Sequence, residues 1–419
     1  MTAFKQNRCH DSLAGPAQMA QVSANDDAPR NTVTVLIPTF NRAEWLEQSL
    51  RSILSQTRRP DEIIVINDGS TDGTLAMLKA YAEDVRVLSQ ANSGKAAALN
   101  KGLSKARGDL IWVFDDDDIA APDALETLVS ALAASPNAAF AYGRHSRFEI
   151  DGNGRKRSLP GGYWRDCAPE SFLFETMLDM FVHQQAMLVP RALYEQVGGF
   201  DERLIRSQDY EMLLRLAQAG NPVATSKVIF QQRVHDAPRG TLRRQFRGAD
   251  RDRVWQAYDR VIFGQVRDTV DLAEFLGPEG ETRDPAGLRH ALIRRGIVMA
   301  RKNLWSLAMK DFTRAAEVAD SPLTRLERED LRKTFMSKYA SQSMKLGADV
   351  RRMLCDLAHV SGAGRQMSAI LARALVWRVR QALMQGHLKC GLQLVDLILR
   401  LIYPVRRTDQ TTQCSYSQG

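Results

Sequence analysis

With 419 residues, 44% of them hydrophobic and 25% charged, the chain is too long for one minimal core and has the composition of a folded protein of about two domains. Its net charge of +8 admits phosphate-bearing substrates, nucleic acid or an anionic membrane and selects none of them. Five scattered cysteines (Cys9, Cys167, Cys355, Cys390 and Cys414) exclude a disulfide framework and show no paired metal-ligand spacing, the pattern of a reducing, cytoplasmic setting. Residues 1–31 are polar without an apolar h-region and read as a disordered tail. No run reaches the roughly 20 apolar residues that cross a bilayer.

Order begins at Thr32–Ile37, a β-branched run closed by Pro38. A helix pattern from Ala43 to Gln56 follows, then a buried-type strand Glu62–Asn67 that runs into the turn Asp68-Gly69-Ser70-Thr71-Asp72-Gly73. A helix Thr74–Ala82, a strand Val85–Leu88 and an alanine-rich helix ending at Ala106 lead to the strand Trp112-Val113-Phe114. Strand and helix patterns alternate four times, which predicts a largely parallel α/β sheet with its chemistry at the carboxyl ends of the strands. A shorter, antiparallel-looking stretch spans Ala138 to Pro160. A helix over Ser171–Asp179, a strand over His183–Val189, a helix holding Asp209 to Leu216 and a strand over Val228–Val234 complete this half.

The strand at Trp112 ends abruptly in Asp115-Asp116-Asp117-Asp118. Four adjacent carboxylates repel one another, so an ordered chain holds them only beside compensating positive charge. A divalent cation such as Mg²⁺ or Mn²⁺, which prefers carboxylate oxygens, is the usual source. A solvated acidic turn is the competing explanation.

Over about residues 32–243 the order of motifs resembles family 2 glycosyltransferases, which have the GT-A fold. The resemblance rests on VLIPTFNR from Val35, EIIVINDGSTDGT from Glu62, NSGKAAALNKG from Asn92, FDDDDIAAPDAL from Phe114, VGGFDERL from Val197, SQDYEMLLRLAQAG from Ser207 and RVHDAPRGT from Arg233. It implies an inverting transferase that moves a sugar from a nucleotide-sugar donor, expected to be a UDP-sugar, to a hydroxyl of a glycan or lipid-linked acceptor in cell-surface polysaccharide biosynthesis. It further implies that Asp68 meets the base, with Pro38, Thr39 and Asn41 lining the same pocket, and that Lys95 reaches the base or the diphosphate. Asp115 would face the ribose, with Asp116 beside it on the donor, and Asp117 would hold the metal. The register within the four aspartates stays open by one position. A cation there would act as a Lewis acid on the departing diphosphate. His235 would touch the metal or the diphosphate, or be a structural strand-end histidine. Asp209 would take the proton of the acceptor hydroxyl, and a helix N-terminal cap is compatible with the same residue. Where many family members carry Glu-Asp, this chain has Gln208-Asp209. Lys95 also fits a solvated helix start. Trp164 and His183 suit either an acceptor pocket or core packing, and Asp201 suits a turn with Gly198 and Gly199.

Past Gly240 the pattern becomes almost continuously helical, placing a boundary near residue 243 and a helical region over 244–419. Residues Ala308 to Ala319 read as part of a helical hairpin without a clear repeat period. Between Leu371 and Arg407 seven Lys/Arg face the single Asp396. Leu392, Leu394, Val395, Leu397, Ile398, Leu399, Leu401 and Ile402 form a broad apolar surface flanked by Lys389, Arg400, Arg406 and Arg407. Two explanations fit residues 389–407: an amphipathic helix on an anionic membrane, or a buried domain helix. Other functions fit the sequence less well than transfer. A sugar nucleotidyltransferase needs a glycine-rich phosphate loop after its first strand, and IPTFNR has none. A degenerate, non-catalytic sheet domain with a partner-binding helical half conflicts with the retained aspartates. Nucleic-acid binding lacks a recognition module.

Overall fold

The computed structural model describes residues 31–235, 239–241, 244–246, 251–277, 282–337 and 346–404. The tail expected before Asn31 lies outside the described residues, as do Asp236, Arg406 and Arg407.

Strands β1 (Val33–Thr39), β2 (Glu62–Asn67), β3 (Arg86–Ser89) and β4 (Leu110–Val113) run parallel in the order β3-β2-β1-β4. Every residue of β1 and β4 is buried, the near-continuous apolar pattern of strands covered on both faces. The helices Ala43–Leu54 and Lys95–Leu103 supply part of that cover. Gly102 allows the second to lie close, because a Cβ there would stand 2.9 Å from Ile66 Cδ1. The sheet continues through β5 (Ile119–Ala120), β6 (Ala141–Ile150), β7 (Lys156–Leu159), β8 (Met187–Pro190) and β9 (Val223–Arg233) in the path β4-β8-β6-β9-β5, with β7 paired to β6. Here antiparallel pairs predominate, although β6 and β9 run parallel. This is the GT-A arrangement, a mixed sheet with flanking helices and a helical region after it.

Element positions differ from the sequence pattern in two informative places. The helix from Thr74 is α-helical only to Leu78 and finishes as a 3₁₀ turn over Lys79–Tyr81. The strand expected from His183 starts instead with a 3₁₀ turn over Gln184–Ala186, and only Met187–Pro190 pairs. The fully buried Trp112 causes this, since its indole Nε1 donates to the Gln185 carbonyl at 2.8 Å and fixes the turn.

A short antiparallel ribbon, β10 (Arg239–Thr241) and β11 (Arg244–Phe246), leads into the helices Arg251–Thr269, Pro285–Arg301, Trp305–Val318, Arg325–Leu331, Ala348–Leu357, Gly362–Met384 and Leu388–Ile402. Asp284 caps the second of these with Pro285 at its first position, and Thr324 with Glu327 forms a capping box on the fourth. Trp305–Val318 packs closely on Pro285–Arg301, where a Cβ at Gly296 would meet Phe312 at 2.7 Å. The helical core also takes in Phe174, Met177, Leu178, Leu204, Tyr210 and Leu214 from before residue 243. No helix among the described residues is long and apolar enough to cross a membrane.

Candidate donor cleft and acidic cluster

The strand order reverses between β2 and β4 around β1, and ligands of open α/β sheets bind outside the strand ends at such a point. Thr39, the last residue of β1, spans it by donating from Oγ1 to Asp116 Oδ2 at 2.7 Å. A cleft of about 190 Å³ opens there, lined by Pro38, Thr39, Asp68, Lys95 and all four aspartates from the strand ends, with Arg206, Gln208 and Arg233 opposite.

The four carboxylates are compensated by side chains of this chain. Arg42 Nη1 donates to Asp116 Oδ1 and Asp117 Oδ2, each at 2.8 Å. Lys95 Nζ donates to Asp115 Oδ1 at 2.6 Å, and Gln184 Nε2 donates to the same oxygen at 2.9 Å. Gln185 Nε2 reaches Asp118 Oδ2 at 2.8 Å, while the Arg233 backbone N–H donates to Asp118 Oδ1 at 2.9 Å. His235 Nε2 lies 2.9 Å from Asp117 Oδ2, and its ring packs 4.4 Å from Trp45. Trp45 also carries the Arg42 and Arg233 guanidiniums at 5.5 and 5.7 Å, so one aromatic side chain orients both arginines. β9 delivers Arg233 and His235 because it pairs with β5, immediately after the aspartates.

Charge in this pocket follows from burial and proximity. Burial pushes Asp118 well above the ordinary carboxylate range, and repulsion from Asp117 and Asp115 adds to it. Burial likewise raises Asp116, with the Arg42 charge working against it and Asp117 with it. Burial opposes the charge on Lys95, yet Asp115 and then Asp209 outweigh it and hold the ammonium more basic than usual. The same contest raises Arg42, where Asp116 and Asp117 overcome burial. One oxygen each from Asp115, Asp117 and Asp118 lies within 4.8 Å of the others, a hard-oxygen set that fits a divalent cation.

Pro38, Thr39, Asp68, Lys95, Asp115, Asp116 and Asp117 are thus gathered along one cleft. Asp68 is buried, and its carboxylate accepts from Gln90 Nε2 at 2.8 Å, Ser93 N at 2.9 Å, Gly94 N at 2.8 Å and Asn92 Nδ2 at 3.1 Å. It therefore shapes the 90–94 loop that leads to Lys95. Gly69, at φ +80°, makes this fit possible, since a Cβ would come within 2.8 Å of Asn92 N. Asn41 turns away from the cleft. In a left-handed backbone (φ 52°) it accepts from Thr71 N at 2.7 Å and supports the 70–72 turn.

Asp209 lies in the first turn of the helix Gln208–Ala219, flanked by Arg206 and Gln208. The N-cap position belongs to Ser207, at φ 59°, and Asp209 Oδ1 accepts from Tyr210 N at 2.9 Å. Trp164 packs between Tyr142 and Phe181, with its indole N–H donated to Asp166 at 2.8 Å. His183 meets His145 edge-on at 4.6 Å, one residue before Gln184. Burial pushes the His145 imidazole down to about 3, with His183 and Arg147 assisting. Asp201 accepts from the Arg203 N–H at 2.9 Å and from its guanidinium at 2.8 Å, so its turn is made with Arg203, whereas the Gly198 and Gly199 carbonyls accept from Arg215.

A mixed α/β sheet whose parallel strand ends gather an acidic tip and basic side chains around one cleft is the arrangement of a GT-A glycosyltransferase domain. Residues 34–198 match the family model described as glycosyl transferase family 2, and that segment belongs to the family. The chain is 31% identical over 207 residues to the chondroitin synthase of Pasteurella multocida (strain Pm70), covering 48% of this chain and 20% of that protein. It is 27% identical over 206 residues to an uncharacterized glycosyltransferase of Rickettsia typhi, covering 49% and 64%. Among solved structures it is similar to S. aureus TarS 1-349 in complex with UDP, at 17% identity and a TM-score of 0.47, over 85% of this chain and 92% of that one. The chain thus spans less than two thirds of the length of these two curated relatives.

Proposed function

We propose that the protein is an inverting glycosyltransferase that moves a sugar from a nucleoside-diphosphate donor to a hydroxyl of a glycan or lipid-linked acceptor. The observation that carries this reading is the cleft at the β1/β4 switch, where carboxylates and cations face one ligand-sized space. In this reading Pro38 and Thr39 form one wall for the nucleoside, and the loop held by Asp68 forms the other, with the base toward Asp68. Asn41 acts indirectly by fixing the 70–72 turn. Asp115 and Asp116 take the ribose side. Asp117, with Asp115 and Asp118 and with His235 beside it, would hold Mg²⁺ or Mn²⁺. Such a cation supplies Lewis acidity to the departing diphosphate.

Arg42, Lys95 and Arg233 bring positive charge to the place where the diphosphate leaves. The acceptor oxygen forms its bond to the anomeric carbon as the bond from that carbon to the diphosphate breaks. The bonding electron pair departs with the diphosphate, and Asp209 takes the acceptor proton. The sheet half up to about residue 243 carries this chemistry. A UDP-sugar is the first donor to test, and a polysaccharide acceptor agrees with the name of the chondroitin synthase relative. Turnover assays with Mg²⁺ or Mn²⁺ test the reading. Asp117→Ala should abolish metal-dependent donor binding, whereas Asp209→Asn should keep binding and lose transfer. Wild-type turnover by Asp209→Asn would remove the base assignment.

The helical region is read as a peripheral anchor on an anionic membrane, on its cytoplasmic side. Within the helix Leu388–Ile402, Leu394, Leu397 and Leu401 are buried, while Leu388, Leu392, Val395, Leu399 and Ile402 form an exposed apolar stripe. Leu383 continues the stripe from the preceding helix, packed over Gly391. Exposed Arg373, Arg380, Lys389 and Arg400 flank it against Asp396, the balance expected beside anionic lipid. Arg400 also pairs with Asp396 at 2.9 Å. Flotation with phosphatidylserine-containing vesicles tests this. Leu399→Asp with Ile402→Asp should abolish flotation of the folded protein, and unchanged flotation would reject the anchor.

A further inference from the structure

We propose that Lys302, in the helical region, is a positioning residue for transfer: through Tyr210 it sets the first turn of the helix that carries Asp209. The inference rests on the reading of Asp209 as the base. Lys302 follows the helix Pro285–Arg301, and its side chain has no exposure to solvent. Its Nζ donates to Tyr210 Oη at 2.9 Å, and that hydroxyl donates in turn to the Thr176 carbonyl at 2.6 Å. The ammonium lies over the rings of Phe263 and Tyr210 at 4.5 and 4.9 Å. Asp259 Oδ2 and Asp179 Oδ1 stand 3.7 and 3.8 Å away. Three elements meet on this one nitrogen: the helix Arg251–Thr269, the end of the helix Phe172–Leu178 and the helix Gln208–Ala219.

Two further facts tie this junction to the cleft. Tyr210 is 1% exposed and points into the helical core, while the adjoining Asp209 is only partly buried beside two cleft-lining residues. The helix start also lacks the usual fastening, because Ser207 sits in the left-handed region and makes no side-chain cap bond. The Tyr210 hydroxyl, bonded to Lys302 Nζ and to the Thr176 and Met177 carbonyls, anchors that first turn from the helical side, while Glu211 in the same turn is held by Arg215. A charge buried this deeply costs more than an apolar side chain of similar volume, so packing alone does not account for a lysine here.

Tyr210→Phe removes one hydroxyl and leaves the packing in place. We expect transfer kcat to fall about tenfold, with the dissociation constant for a nucleoside diphosphate unchanged within twofold. In an Asp209→Asn background the same substitution should have no further effect on kcat, because a residue acting through Asp209 has nothing left to position. Lys302→Met paired with Asp259→Asn, which keeps the buried charge balanced, should give the same pattern. Wild-type kcat in Tyr210→Phe, or a loss that multiplies with that of Asp209→Asn, overturns the inference while leaving the base assignment standing. Wild-type turnover by Asp209→Asn alone removes the base assignment, and the inference with it.

Discussion

Two regions of this molecule bury ion pairs, and they differ in what lies beside them. In the helical half the Arg289 guanidinium and Glu327 carboxylate are each 1% exposed and bonded twice, at 2.8 and 2.9 Å, with the remaining donors on the backbone around Ala319 and Ser321. Arg295 closes on Asp311 in the same manner. At the sheet's end, Arg42 and Lys95 hold Asp115, Asp116 and Asp117 at comparable distances, but those pairs form the wall of a cleft. A closed pair can only be kept or broken, whereas an open one can exchange partners. The same chemistry therefore serves as a strut in one half and as a preorganised binding surface in the other.

The two kinds of ion pair should respond differently to substitution and to added metal. The largest effect expected is on transfer: Asp209→Asn should lower kcat about 10³-fold, within the range usual for a general base, with donor binding intact in a calorimetric titration. Next, Arg289→Ala should cost about 3–5 kcal/mol in urea unfolding, because it strands Glu327, while Arg289→Met with Glu327→Met should be close to neutral. Arg42→Met strands carboxylates too, at about 2 kcal/mol, yet Mn²⁺ should restore its melting temperature because the cleft admits a replacement charge. Mn²⁺ should leave Arg289→Ala unchanged, and equal rescue of both variants would erase the distinction between the halves.

The smallest effect is on pH. His145 stays neutral in the fold down to about pH 3, whereas in the unfolded chain it protonates near its ordinary 6.5. The unfolded state then binds more protons, so stability is present above pH 6.5 and is lost as the pH falls toward 3. With the ring partly exposed, the loss at pH 5 should be about 1 kcal/mol, and His145→Phe should flatten that part of the profile.

Much of this was legible in the chain because the features are local. The β-branched runs and the abrupt aspartates locate the ends of β1, β2 and β4, and those ends gather Thr39, Asp68 and Asp115 to Asp118. What compensates the aspartates was not legible. The four aspartates predict a cation, for which Asp115, Asp117 and Asp118 do offer ligands, but not that Arg42, Lys95, Gln184, Gln185 and Arg233 also meet them. Arg42 stood in a quoted motif, three residues before Trp45, and that spacing on a helix start was its one available signal. Gln184 and Gln185 gave none, because a strand-like run becomes a 3₁₀ turn through an indole bond from 73 residues away. Asn41 looked like a pocket residue until its left-handed backbone turned it toward Thr71. The amphipathic end was ambiguous for a physical reason: the helix Leu388–Ile402 is apolar on two faces, and only one of them is buried.

The most direct test of the open cluster is a titration of Mn²⁺ into the protein with and without UDP, followed by electron paramagnetic resonance. The account predicts that UDP tightens Mn²⁺ binding at least tenfold in the wild type and that Asp117→Ala loses this coupling. Equal coupling in both proteins would contradict it.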